Sequence, residues 1–489
     1  MLRELETDFE TDREATVAGG ADERTVGPPT RQPPAASAPP PAAANPGTDA
    51  TASHSAGTPA TSVAPAGSPR SAPPAGGTFA ALRVPNYRRF MTGQIISMCG
   101  TWMQTIALGW LVLSLGASGT MLGVVTAAQF LPVLLVGAYG GLVADRANTR
   151  ALLITTASLQ ATLAAVLGVL VITHVVALWM VVVFAALLGL TQAADNPARQ
   201  SFVQEMVGPE TLPNAVTLNS VTMNAARVVG PAIAGLLITL IGTGTCFLLN
   251  ALSFAAVIVA LIRLDRAALR PKPRLTKAPG QIREGFHYAV RTAGIRIPLM
   301  MMVITGTLAY EFQVTLPLVA RETFHGTAAT YSLLTGAMGA GAGAVVGGLL
   351  VARRRLTGVR SLVVIAAVFG VLILATAAAP SLPLVVGALV LTGAASVAFI
   401  STGNATVQLS SEPRMRGRVM ALWSIAFIGT TPVGGPIAGT VAQALGARAG
   451  LVLAGVAALV SAAIGLASLR RADAARPVSA AARPTPSSG

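Results

Sequence analysis

The chain is poor in lysine, cysteine, histidine and charge. Of its 34 basic residues only Lys272 and Lys277 are lysines, and neither follows a glycine or precedes serine or threonine. A Gly-x4-Gly-Lys-Ser/Thr phosphate loop is therefore excluded, and uphill work must draw on something other than an ATPase site of that kind. Cys99 and Cys246 both lie in long apolar runs, which implies no disulfide framework. The four histidines, His54, His174, His287 and His325, never fall at the spacings of a metal site. The expectation is a chain with no catalytic set, no cofactor and no metal. What is abundant is apolar: 53% hydrophobic residues and 50 glycines against 11% charged, with a mean hydropathy of +0.65. That balance belongs to membrane proteins.

Residues 1–78 differ from the rest, with thirteen prolines and Phe9 as the only aromatic. Such a segment cannot bury enough apolar surface to offset the entropy of ordering, so it reads as a disordered Pro/Ala-rich tail. Its acidic start, MLRELETDFETDRE, lacks the apolar stretch of a signal peptide. The tail carries five arginines and nine acids, a net of −4. The remainder, with 29 basic and 10 acidic residues, is +19.

From Phe90 onward, apolar runs of about 20 residues recur, each long enough to cross a hydrocarbon layer of about 30 Å as a helix. The pattern predicts an all-α membrane protein with twelve transmembrane helices. They are placed at 90–114, 119–143, 151–172, 175–195, 216–241, 244–263, 297–320, 328–352, 361–380, 382–402, 419–444 and 449–469. With both termini cytoplasmic, 26 basic residues fall in inside segments and two, Arg321 and Arg448, in outside loops, while Arg227 stays within a span. The opposite orientation breaks the positive-inside rule in nearly every loop. Topology and contact with anionic lipid then account for the basic charge, and no nucleic-acid partner is expected.

A shift of 207 residues superposes Gln104 on Glu311, Gly119-Thr120 on Gly326-Thr327, and Gly140-Gly141-Leu142 with Arg146 on Gly347-Gly348-Leu349 with Arg353. With a small drift, Gly230-Pro231 meets Gly435-Pro436. Several matches in one order argue for two six-helix pseudo-repeats: an N-terminal half at 84–263, a basic cytoplasmic linker at 264–296 and a C-terminal half at 297–470. A second disordered tail is expected at 471–489. In this layout a substrate site lies between the halves near the midplane.

The stretch Gly141-Leu-Val-Ala-Asp145-Arg146-Ala-Asn148-Thr149-Arg150 resembles the Gly-x-Leu-Ala-Asp-Arg-x-Gly-Arg-Arg signature loop of the major facilitator superfamily. Asn148 and Thr149 depart from that pattern. Arg88-Arg-Phe with Gln94, Asp195-Asn-Pro-Ala-Arg199-Gln and Arg227-Val-Val-Gly230-Pro231 resemble the branch of bacterial exporters that includes the transmembrane secretion effectors. The resemblance covers residues 84 to about 470 and implies the major facilitator fold. It also implies that the signature loop is a cytoplasmic gate. Asp145 would face the helix of span eleven near Arg418, Arg146 and Arg150 would pair with carboxylates, and Asp195 is a candidate partner for Arg146.

Candidate residues for transport stand out because charge and polarity are costly inside a membrane. Arg227 lies about 16 Å deep in span five, where a guanidinium costs about 2.5–3.5 kcal/mol on insertion scales. It ends a polar stripe with Thr217, Ser220 and Asn224. It fits either a cavity role or a structural lock between helices. Glu311 is the one carboxylate deep in an expected helix, sharing a face with Thr307 and Thr315. A carboxyl alternating between apolar surroundings and an arginine can take up and release a proton, and a hydrogen-bonded structural acid is the alternative. Gln94, Ser97, Thr101 and Gln104 form one face of span one, suited to orienting a polar ligand or to gluing helices together. Gly230, Pro231 and Gly235, partly repeated by Gly435, Pro436 and Gly439, favour a bend and close helix contact. The first set resembles the superfamily's antiporter signature, which implies efflux. Gly339, Gly343 and Gly347 form a small-residue packing face rather than a nucleotide loop.

The reading is a secondary active transporter of the bacterial inner membrane, a monomer that exports a small amphipathic molecule by alternating access. The substrate class is a siderophore-like metabolite or a drug, with protons as candidate coupling ions. An importer or passive facilitator is one alternative. A non-transporting membrane sensor or scaffold that uses the long tail is another.

Overall fold

A computed structural model describes residues 79–270, 281–352 and 357–474; the tail expected at 1–78 and most of the one expected at 471–489 lie outside the described residues. The regular elements among the described residues are helices. In the N-terminal half these are α1 (Pro85–Ser114), α2 (Gly119–Arg146), α3 (Thr149–Ile172), α4 (Leu178–Ile241) and α5 (Thr243–Ile262). Then come α6 (Gln281–Arg291), α7 (Ala293–Leu308), α8 (Phe312–Leu318), α9 (Ala328–Ala352), α10 (Val359–Ala378), α11 (Leu382–Ser410), α12 (Arg416–Ile428), α13 (Thr431–Leu445) and α14 (Ala447–Ala474). A π-helical turn, Val319–Thr323, follows α8.

Ten helical segments among the described residues are long and apolar enough to cross a membrane. One of them, α4, has 64 residues, about 96 Å of helix and three times a hydrocarbon layer. Its two parts meet at Gly208 (φ 71°, ψ 174°), ahead of Pro209, and supply spans four and five. That φ suits glycine, and a Cβ there would run into the Arg270 guanidinium. With α9 as span eight, these segments account for the twelve expected spans.

Three expectations need correction. Spans seven and eleven are each broken into two helices: α7 and α8 are separated by Ala309-Tyr310-Glu311, and α12 and α13 by Gly429-Thr430. The second break follows from Pro432 in the first turn of α13, where its missing N–H is not needed. The first has no proline or glycine beside it and lies where α13 presses on the Thr307 carbonyl. The signature loop is mostly helix. Only Ala147 and Asn148 separate α2 from α3, because the Asn148 side chain accepts from the Ala151 N–H at 3.1 Å and caps α3. The departure from glycine at 148 is therefore a helix cap. Finally, the segment between the halves carries a helix, α6, and α14 continues past Arg471 to Ala474.

The apolar cores divide unequally along the membrane normal. At the arginine-rich end each half has its own core: Tyr87, Phe90, Phe202 and Leu261 in the N-terminal half, and Met301, Leu362, Phe399 and Trp423 in the C-terminal half. Toward the far end one core takes residues from both, among them Leu111, Leu122 and Phe247 with Phe312, Tyr331 and Phe369. Two helix pairs make the seam there, α2 on α13 and the second part of α4 on α9.

Candidate functional site

The seam is built of main chain brought close by glycine. A Cβ on Gly439 would strike the Gly119 carbonyl, and one on Gly435 would lie 3.1 Å from the Gly123 carbonyl. On the other side, a Cβ on Gly235 would be 2.8 Å from the Ser332 Cβ, and one on Gly339 2.9 Å from the Arg227 carbonyl. A Cβ on Gly343 would lie 4.0 Å from the Asn224 Cβ, and Gly347 lies outside the described side chains. Gly230 packs within its own half, where a Cβ would be 2.8 Å from the Cys99 carbonyl. Pro231 and Pro436 lie inside α4 and α13, whose helical backbone is broken at Gly208 and ahead of Thr431, and the glycines beside them serve close packing. At the far end the Thr120 hydroxyl donates to Gln443 Oε1 at 2.8 Å and meets the Thr440 hydroxyl at 3.1 Å, and Arg321 donates to the Leu113 carbonyl.

Arg227 sits on this seam. Its guanidinium carbon lies 4.7 Å from the centre of the Trp102 ring, a cation–π contact, and its Nε is buried without a partner. Asn224, one turn earlier, donates to the Ser220 carbonyl at 2.8 Å. Glu311 is 2% exposed and stands in the break of span seven, not inside a helix as expected. Its carboxyl group faces α13, so that a Cβ on Gly434 would be 2.8 Å from Oε1 and one on Gly435 3.6 Å from Oε2. The Thr431 hydroxyl reaches the carboxyl group, while Oε1 has no partner. The next residue back, Tyr310, donates to the Ser396 carbonyl at 2.8 Å and packs its ring on Phe369 and Phe427. Trp423 is packed against Gly403.

The polar face of span one divides among three settings. Gln94 accepts from Arg199, which also binds Asp195; the Asp195 carboxylate accepts from Thr156 at 2.7 Å. Ser97 is buried and its carbonyl accepts from the Thr101 hydroxyl at 2.9 Å, while Thr101 itself is exposed. Gln104 accepts from Asn250 at 2.7 Å. Asp195 thus has partners within its own half, Thr156 and Arg199, an i,i+4 neighbour.

Of the proposed gate, Gly141, Asp145 and Arg146 lie on the last turns of α2, where side chains are outside the description. Among the described residues Arg150 meets main chain rather than a carboxylate. It donates to the Leu261 carbonyl at 2.6 Å and the Ile262 carbonyl at 3.1 Å, the last carbonyls of α5, which otherwise lack partners. Arg418 pairs with Glu284 of α6 at 2.5 Å, so span eleven is tied to the segment between the halves.

Sequence reasoning missed Gln129, Gln160, Gln192 and Asn250, which gather around Gln104, and it missed Glu284 and Gln443. Each of the amides is alone in its apolar span, and that isolation was the available signal. Periodicity along one helix cannot reveal a cluster drawn from five.

A family profile described as transmembrane secretion effector matches residues 76–487. The chain belongs to this family of the major facilitator superfamily. Among its relatives, the staphyloferrin A transporter of Staphylococcus aureus is 25% identical over 246 residues, 50% of this chain and 62% of that protein. The match therefore spans less than two thirds of that relative's length. The multidrug efflux pump Tap of Mycolicibacterium fortuitum is 26% identical over 359 residues, covering 72% of this chain and 87% of Tap. A POT family transporter crystallised with 5-aminolevulinic acid superposes with a TM-score of 0.66 over 82% of this chain and 98% of that one, at 13% identity, which shows the shared fold. Membership places the chain in a family of multi-pass membrane transporters.

Proposed function

We propose that the chain is a secondary active exporter of small amphipathic molecules in the bacterial inner membrane, working by alternating access as a monomer, with Glu311 carrying the coupling proton. The observation that carries the reading is the setting of Glu311: 2% exposed, in a helix break, against the α13 seam, with one carboxyl oxygen unpaired. A carboxyl there is costly to charge and is poised to change state when the seam moves. Arg227, stacked on Trp102 with an unpaired Nε, serves the substrate side of the same seam. The far-end bonds of Thr120 and Arg321 and the single shared core there suit a state closed on that side, whereas the separate cores suit an opening at the arginine-rich end. The positive-inside rule makes the arginine-rich end cytoplasmic, with both termini on that side. In this reading the α2 end with Asp145 and Arg146 closes against α12 when the protein faces outward. Staphyloferrin A and drugs, the cargo in the names of two relatives, set the expected substrate range.

The test compares metabolites retained by cells with and without the protein, with and without an uncoupler, and repeats it with Glu311→Gln. Uncoupler-sensitive depletion by the wild type, lost in the variant, supports the reading. Accumulation would mean import, and uncoupler-insensitive flux would mean passive facilitation. Flux that survives deletion of residues 1–78 separates a transporter from a scaffold.

A further inference from the structure

Five amide side chains from five helices meet inside the N-terminal half: Gln104 of α1, Gln129 of α2, Gln160 of α3, Gln192 of α4 and Asn250 of α5. They wall a recess of about 20 Å³ that also touches the exposed Thr101. Amides are expensive in an apolar helix bundle unless bonded, so five in one place call for a reason.

Their hydrogen bonds are unevenly filled. Asn250 donates to Gln104 Oε1 at 2.7 Å, and the Ser253 hydroxyl lies 2.7 Å from the Asn250 backbone carbonyl and 2.9 Å from Asn250 Oδ1. Gln160 is 5% exposed, and its Nε2 has no partner. The buried group left open is therefore a donor. Space of this size admits one water or one carbonyl oxygen. The residues that line the recess are amides, threonines, leucines and a phenylalanine, with no charged side chain. A carboxylate would enter without a cation to meet it, and an ammonium without a carboxylate.

We propose that this recess is a hydrogen-bonding subsite for an uncharged acceptor group on the substrate, a lactone, amide or ketone carbonyl, received by the Gln160 amide. The assignment rests on the transporter reading and narrows its substrate class to neutral, acceptor-bearing amphiphiles. It also makes Gln160 a residue that native packing does not need. Replacing an unpaired buried polar group by an apolar one of similar shape is neutral or stabilising, whereas replacing a structural hydrogen-bonding residue is not.

The experiment uses the full chain with Gln160→Met in efflux-deficient cells. Uncoupler-sensitive export is measured for erythronolide B, an uncharged macrolactone, and rhodamine 6G, a lipophilic cation, and Tm is measured on purified protein. The expected result is an unchanged or raised Tm with erythronolide B export falling about tenfold relative to rhodamine 6G, the loss of one buried hydrogen bond. Gln192→Met, at the same recess and half-buried, should shift the ratio in the same direction. An unchanged ratio overturns the proposal. So does a variant that fails to fold or loses Tm together with both fluxes, because that marks a structural role. A wild type that exports rhodamine 6G alone overturns the subsite and leaves the transporter reading standing. A wild type that exports neither probe counts against the exporter reading and takes the subsite down with it.

Discussion

In the N-terminal half, Gln104 sits in an unbroken α1 and accepts from Asn250; 207 residues later, Glu311 stands in the break between α7 and α8 with an oxygen unpaired. The amides around Gln104 have no counterparts: Gln129, Gln160 and Gln192 meet Gly336, Ala367 and Phe399 at a shift of 207, and Asn250 meets Gly455 at the shift of 205 that aligns Gly230 with Gly435. In the second seam helix the contrast repeats. Where α4 carries Arg227 and Val229 without a break, α13 carries Pro432 and Gly434 just after one. One backbone plan thus serves two chemistries. The N-terminal half is continuous and neutral at its centre apart from Arg227, and the C-terminal half is interrupted and acidic. Duplication fixes where helices run, and single substitutions decide which half holds ligand-facing amides and which holds the titratable group.

The contrast can be broken by swapping residues between halves. The largest effect is expected for Gly434→Val, which gives α13 the residue α4 has at Val229. Its Cβ would enter the space of the Thr307 carbonyl and lie 2.8 Å from Glu311 Oε1, and backbone yields poorly, so a loss of about 3 kcal/mol is expected. The reverse change, Val229→Gly, falls on an exposed position and should cost about 1 kcal/mol. Thermal unfolding of the two variants measures the difference. Glu311→Gln, which gives the C-terminal half the amide of its twin, should leave a folded protein that binds substrate and no longer concentrates it. Gln104→Glu should cost about 1–3 kcal/mol by placing a charge in a site built for amides. Uphill flux and Tm together read this pair, and unimpaired accumulation by Glu311→Gln would falsify the coupling role.

Smaller changes sharpen the comparison of helix starts and ends. Thr120→Val removes a far-end link between the halves, worth about 1 kcal/mol, and should favour opening on that side, read as faster labelling of a cysteine placed at Thr440. The smallest effect is expected at the start of α3. Asn148→Gly, which restores the superfamily pattern, should cost a few tenths of a kcal/mol, against about 1 kcal/mol for Asn148→Ala. The corresponding start of α10 already uses glycine, with Gly358 at φ 99°, so the two halves cap the same helix by different means.

The spans were legible because twenty apolar residues have few other fates, and the repeat because glycines and amides recur in order. The break at Glu311 was not legible: Ala309-Tyr310-Glu311-Phe312 contains no residue that stops a helix, and the interruption coincides with contact from α13, more than a hundred residues away. The break at Gly429-Thr430 carried its own signal in Pro432. Asp195 and Arg199 stand four residues apart in the sequence, and the structure joins them as an ion pair. The amide recess was hidden because each helix shows one member of it.

The glycine contacts between α2 and α13 have a consequence for how such a protein changes over generations. Where main chain rests on main chain, nothing distinguishes a polar replacement from an apolar one; only volume matters. Mutations at Gly123 and Gly439 should therefore sort into tolerated and damaging by size alone. The walls of the recess and the surroundings of Arg227 remain free to drift toward new cargo while the bearing between the halves stays fixed.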